Sequence, residues 1–344
     1  MRAMILAAGY GTRLWPLTID RAKPAIPFMG RPLVGYVAEY LARHGFRDVV
    51  VNLHHRPESV RAALGDGGRF GARLHYVEEP TILGTSGALD NARALLEGDA
   101  FVVINGKLAT DIDLGEALVT HRRTGALATL VLRRNIERER YSSVRVRDGL
   151  VEGFGGFPAS DNAGSASGAA QNGEGEGATC LESEEAPLMF TGIQILDPRI
   201  FSFIPRGVFS HSVTDVYIPA LKAGERIAAH VAGGYWYELS TVKRYLETSL
   251  DLLKREARDV EVGAGSNVEA GADVRESVLW EDVKVSEGAS VRGSVLGAGV
   301  VVGRGEVVEN AAVVRAELVL GAERPEKGLD GELRGSNFVA PLPE

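Results

Sequence analysis

From Val262 onward, apolar residues return in steps of six, six and five: Val262, Val268, Val274, then Leu279, Val285, Val291, then Leu296, Val302, Val308, and finally Val313 and Val319. Gly271, Gly288 and Gly305 recur at one phase of the same 17-residue period. An α-helix turns every 3.6 residues and cannot hold residues six apart on one stripe for this long. A coil with three short flat sides can, if each side turns one apolar residue inward and small residues occupy the corners. Stacked rungs then bury one continuous apolar column, and the repeat count gives about three full rungs with part of a fourth.

This phasing resembles the left-handed parallel β-helix made of imperfect hexapeptide repeats. A series of sandwich strands is the alternative, and it gives no reason for a fixed 17-residue phase. The β-helix is expected over 256–323, as a platform for association with another copy of the chain. The segment 324–344, with Pro325, Gly328, Gly331, Gly335, Pro341 and Pro343, is expected to wrap the coil as a tail.

Upstream the pattern changes. Met4 to Ala8 is an apolar run stopped by Gly9, as for a buried central strand feeding a loop. Val34, Val37, Ala38 and Leu41 share one face of a helix expected over Leu33 to His44, with Gly45 as its C-cap. An apolar strand, Asp48 to Leu53, completes a βαβ unit. Helices near 58–64, 88–96 and 114–123 alternate with strands near 73–77, 100–105 and 126–133. The economical solution is an α/β, Rossmann-like, mostly parallel mixed sheet covered on both faces, with ligand at the strand ends. Strands over 188–197 and 227–231 and an amphipathic helix over 241–253 close this domain, expected to span 1–255. Within it, 158–187 is rich in Gly, Ser, Ala, Asn and Glu and poor in large apolar groups, so it reads as a flexible insertion.

A formal charge of −8 offers no clustered cationic surface for nucleic acid. The single cysteine, Cys180, excludes an intrachain disulfide and a cysteine metal cluster. No run of about 20 apolar residues is present to span a bilayer. The N-terminus lacks a secretory core, and a cytoplasmic protein without a membrane partner is expected.

The residues richest in chemistry are Leu6-Ala7-Ala8-Gly9-Tyr10-Gly11-Thr12-Arg13-Leu14 and Lys23-Pro24. A strand opening into Gly9 and Gly11 lets backbone N–H groups approach phosphate oxygens, and Thr12 adds a hydroxyl. Arg13 supplies a planar fork of donors and Lys23 a compact charge. Gly-x-Gly alone is weak, and both cations could be solvated surface groups. The segment resembles the opening motif of the nucleoside-diphosphate-sugar pyrophosphorylase (sugar nucleotidyltransferase) family. The likeness extends over nearly the whole chain and is greatest to mannose-1-phosphate guanylyltransferase-like members with a β-helix tail. It implies that a nucleoside triphosphate and a sugar 1-phosphate give a nucleoside diphosphate sugar and pyrophosphate. It implies triphosphate binding by the Gly9 to Thr12 loop next to Leu6 and Ala8, charge stabilisation by Arg13 and phosphate contact by Lys23. Leu83-Gly84-Thr85-Ser86-Gly87 resembles the family's base-recognition turn, and Phe190-Thr191-Gly192 its sugar-side strand.

In the family, the strand corresponding to Phe101 to Ile104 leads into Gly-Asp, whose Asp binds magnesium. Here Asn105-Gly106-Lys107 stands in its place. A lysine offers no carboxylate oxygen and brings positive charge where a cation would sit. The second acid of that site is matched by Glu238, in Tyr235-Trp236-Tyr237-Glu238-Leu239. It could meet a Mg2+ ion, with Asp111 redirected toward it, or pair with Lys107. Asp111 and Asp113 otherwise read as a helix N-terminal charge and a cap. The family's Glu-Lys-Pro cation is missing at Phe157-Pro158, and Arg134, Arg138 or Arg140 are candidates to replace it. Two readings follow. One is a transferase with GTP and mannose 1-phosphate as its implied pair; the other is a binding or regulatory subunit with weak or absent turnover.

Overall fold

The computed structural model describes residues 1–155 and 186–343. Cys180, Phe157-Pro158 and all of the expected insertion except its last two residues lie outside them.

A nine-stranded mixed sheet organises the first part of the chain. Its spatial order is Arg73–Glu78, Asp48–Leu53, Ala3–Leu6, Phe101–Asn105, Leu188–Leu196, Ala128–Arg134, Ile227–Val231, Leu150–Phe154 and Val144–Arg147. The first four run parallel. Leu188–Leu196 enters antiparallel between Phe101–Asn105 and Ala128–Arg134. Apolar strands buried on both faces explain the sequence runs: Ala3, Ile5, Val49, Val51, Val102 and Ile104 face one core, while Met4, Val50, Phe101 and Val103 face the other. Helix Leu33–Arg43 covers the first face through Val34, Val37, Ala38 and Leu41. Helix Gly84–Asn91 covers the second through Ala88 and Leu89. The helix expected over 88–96 therefore begins four residues earlier and is interrupted, resuming at Arg93–Leu96. Asp113 caps Leu114–Thr124 by accepting from the Gly115 N–H at 2.7 Å.

The repeat folds as three stacks of short parallel strands in 17-residue register, such as Val285↔Val302 and Val291↔Val308. Nine strands make three rungs, and Ala311–Arg315 begins a fourth. Leu279, Val285, Val291, Leu296, Val302, Val308 and Val313 fill the column. Two expectations are corrected at the ends. Val262 and Val268 keep 48% and 37% of their surface exposed, because no earlier rung covers them. Val319 lies in the short helix Ala316–Val319, outside the coil. The tail does more than wrap: Glu332–Arg334 and Asn337–Pro341 add two antiparallel strands beyond Ala311–Arg315 and extend one side of the coil to six.

The coil is fastened to the loops that follow Ala3–Leu6 and to the helix Val242–Arg255. Trp280 is buried, and its indole N–H donates to Tyr245 Oη at 3.0 Å, which itself donates to the Pro27 carbonyl at 2.6 Å. Arg21 pairs with Glu281 at 2.5 Å and lies over the Trp280 ring. Trp15, just after the glycine loop, packs edge-on against Phe338 of the tail. Among the described residues no helix is long and apolar enough to cross a membrane.

Candidate functional site

The central strand Ala3–Leu6 ends beside Phe101–Asn105, with Leu6 opposite Asn105. Past this end lies a cavity of about 350 Å³ lined by Gly9, Gly11, Thr12, Arg13, Lys23 and Lys107, together with Leu6, Ala7 and Asn105. A Cβ added at Gly9 would meet nothing within 4 Å; what the glycine leaves bare there is open cavity, where a ligand can approach the backbone. Gly11 is held differently. Its φ is +68° and a Cβ would stand 2.8 Å from Lys23 Cβ, so glycine lets the loop and the Lys23 backbone close on one another.

The loop is braced from behind. Ala7 N–H donates to Asn52 Oδ1 at 2.6 Å, Asn52 Nδ2 donates to Glu79 Oε1 at 2.6 Å, and Glu79 Oε2 accepts from Leu83 N–H at 2.9 Å. This buried chain ties the glycine loop to the Leu83-Gly84 turn. Its sequence signal was slight: a polar residue at or just past the end of an apolar strand.

A second cavity, of about 580 Å³, shares Leu6 and Asn105 with the first and is lined by Thr85, Phe154, Phe190 and Gly192 among others. Gly192 has φ +80°, and a Cβ there would stand 2.2 Å from Asn105 Nδ2. Thr85 reaches this cavity, but its hydroxyl oxygen accepts from the Ser212 N–H at 2.8 Å and the Ser212 hydroxyl at 3.0 Å. Gly84 and Gly87 line neither cavity; a Cβ on them would strike the carbonyls of Ser210 at 2.5 Å and Val208 at 2.6 Å. Glycine at these two positions lets the turn pack on the 208–210 loop. Ala8 is likewise buried, and Ala7 lines the cavity instead.

Lys107 and Glu238 are joined by backbone register. Strand Trp236–Glu238 pairs antiparallel with Leu108–Thr110, Glu238 lies opposite Leu108, and Leu239 N–H donates to the Lys107 carbonyl at 2.8 Å. The Lys107 ammonium donates to Glu238 Oε1 in an ion pair. Burial pushes the Glu238 carboxyl up, but the charge and hydrogen bond of Lys107, with Lys23 and the Tyr141 hydroxyl, hold it below its ordinary range. Lys23 is brought down to about 7, first by desolvation and then by the like charges of Lys107 and Arg13, with Glu238 opposing. Tyr141 was not singled out from sequence; the Arg244 guanidinium donates to its Oη at 3.2 Å and pairs with Glu139.

The implied magnesium ion can be tested against these residues, and they do not fit it. Asp111 is exposed and its Oδ1 accepts from the Tyr235 N–H at 2.6 Å; it borders the cavity of about 780 Å³ together with Glu238, and not the glycine-loop cavity. Glu238 is engaged by an ammonium. Among the described residues no group of three or more His, Cys, Asp or Glu could hold a metal ion. The arginine candidates are also placed elsewhere: Arg134 lines a separate cavity of about 780 Å³ that Glu238 also borders, and Arg138 and Arg140 line none of these three.

Residues 2–255 match the family model described as nucleotidyl transferase, and 250–330 match the GlmU-like C-terminal hexapeptide model. A UTP–glucose-1-phosphate uridylyltransferase from a Synechocystis species is 28% identical over 343 residues, covering 91% of this chain and 82% of the relative. A mannose-1-phosphate guanylyltransferase from Mycobacterium tuberculosis is 27% identical over 300 residues, covering 86% and 74%. The same fold occurs in a solved Bacillus anthracis structure described as a glucose-1-phosphate thymidylyltransferase. That match has a TM-score of 0.58 and 22% identity, over 77% of this chain and 98% of the other.

Proposed function

We propose a function for a chain that belongs to the nucleotidyl transferase family, within its sugar-1-phosphate nucleotidyltransferases: it binds a nucleoside triphosphate and a sugar 1-phosphate and forms a nucleoside diphosphate sugar and pyrophosphate. The pair we put first is GTP with mannose 1-phosphate, on the likeness to mannose-1-phosphate guanylyltransferases over most of the chain. UTP or dTTP with glucose 1-phosphate are the competitors. The observation that carries the reading is the cationic, glycine-walled cavity opening through Leu6 and Asn105 into a larger pocket, which offers phosphates one end and a sugar or base the other.

In the reaction, a sugar-phosphate oxygen attacks the α-phosphorus, the bond from that phosphorus to the bridging oxygen breaks, and the electron pair leaves with pyrophosphate. The attacking oxygen is already an anion, so no general base is needed. Backbone N–H groups of the Gly9 to Thr12 loop, the Arg13 fork and Lys23 meet the charge spread over the phosphate oxygens. The two cavities hold the reactants in one cleft, which makes the attack effectively intramolecular.

The Lys107–Glu238 pair favours a second reading, a nucleotide-sugar-binding subunit with little turnover. The test is pyrophosphate release from each triphosphate and sugar-phosphate pair, run beside calorimetric titration with the matching sugar nucleotides. Release with one pair supports the transferase; binding without release supports the binding subunit. Failure of every nucleotide and sugar nucleotide to bind refutes both.

A further inference from the structure

The phosphate-side cavity is lined by three cations, Arg13, Lys23 and Lys107, and by no carboxylate. The nearest acid, Glu238, has Oε1 taken by Lys107 and accepts a further hydrogen bond from Tyr141. Register holds this pair in place, since the Leu239 N–H to Lys107 carbonyl bond and the Glu238 to Leu108 pairing fix both backbones. A divalent cation entering here finds no open carboxylate and meets positive charge. An ammonium carries three donors. Glu238 uses one, and the others are available to phosphate oxygens.

We propose that the tethered ammonium of Lys107 takes over the role of a divalent cation at this site, so that the chain binds the diphosphate of a nucleoside diphosphate sugar without any metal ion. The inference rests on the nucleotide-binding reading above and deepens it. With Lys23 protonated, as a bound diphosphate favours, three cations set against one carboxylate leave two formal positive charges. A nucleoside diphosphate sugar, with one negative charge on each phosphorus, matches them. A free nucleoside triphosphate carries more negative charge than the site balances. Sugar nucleotides are therefore the ligand class that the metal-free site prefers.

The experiment titrates the full chain with GDP-mannose, UDP-glucose and dTDP-glucose by calorimetry, in EDTA and again in magnesium. Mn2+ paramagnetic resonance is recorded alongside as a direct readout of metal capture. The expected result is one sugar nucleotide binding with affinities within about threefold in the two buffers, tighter than its parent triphosphate in EDTA, with the free Mn2+ signal unchanged in the complex. Lys107→Met should weaken the EDTA affinity tenfold or more, with no recovery on adding metal. Lys107→Asp should lose it similarly, recover in magnesium or manganese, and deplete the free Mn2+ signal. A wild-type chain that needs the divalent ion for tenfold or more of its affinity, or that captures Mn2+ in the complex, overturns the inference and leaves the nucleotide-binding reading standing. A chain that binds no probe in either buffer overturns both.

Discussion

Lys23→Met removes a charge that the folded chain holds at a cost. The ammonium ordinarily titrates at 10.5 and is brought to about 7, by burial and then by Lys107 and Arg13. At about 1.4 kcal/mol per pH unit, that displacement corresponds to at most about 5 kcal/mol against the folded state. The surroundings of a buried charge relax around it, so about 2 to 3 kcal/mol is the working magnitude. The sign follows from proton counts. Between pH 7 and 10.5 the unfolded chain keeps the proton and the folded chain has lost it, so stability rises with pH through that window. Below about pH 7 the whole penalty is present. Urea denaturation of the ligand-free protein should therefore find Lys23→Met more stable than wild type by about 2 to 3 kcal/mol at pH 6, with the gap closing toward pH 10, while sugar-nucleotide affinity falls. A variant no more stable than wild type at pH 6, or a gap independent of pH, would refute the electrostatic reasoning.

Gly192→Ala places a Cβ 2.2 Å from Asn105 Nδ2 at φ +80°, so it should destabilise by about 1 to 3 kcal/mol and weaken ligand binding by moving Asn105, both read by melting and titration. Trp280→Ala removes a fully buried indole and its hydrogen bond to Tyr245. It should cost about 3 to 5 kcal/mol and raise proteolysis at the junction between coil and sheet.

The sequence carried the two periodic parts well, because each rests on local repetition. Leu279 through Val313 recur at one phase and fill one column, and the apolar strands alternate between two cores. Phase does not encode the ends: Val262 and Val268 share the period but have no rung above them, and the strands of the Glu332–Arg334 and Asn337–Pro341 hairpin are too short to stand out. At the site, Gly9, Gly11, Thr12, Arg13 and Lys23 were legible as a cluster because they are close in sequence. The Asn52–Glu79–Leu83 brace and the Tyr141 contact with Glu238 were not, since each joins residues brought together by separate strands. Gly84 and Gly87 pack on a neighbouring loop, a contact that the motif alone does not display.

Phosphates lying against the glycine loop are the premise of both readings. The most direct test of that premise is a crystal structure of the chain grown with the tightest-binding sugar nucleotide in EDTA. Both phosphates should lie within hydrogen-bonding distance of the Gly9 to Thr12 amides, Arg13 and the Lys107 ammonium. A diphosphate bound elsewhere, with that cavity holding only water, would contradict it.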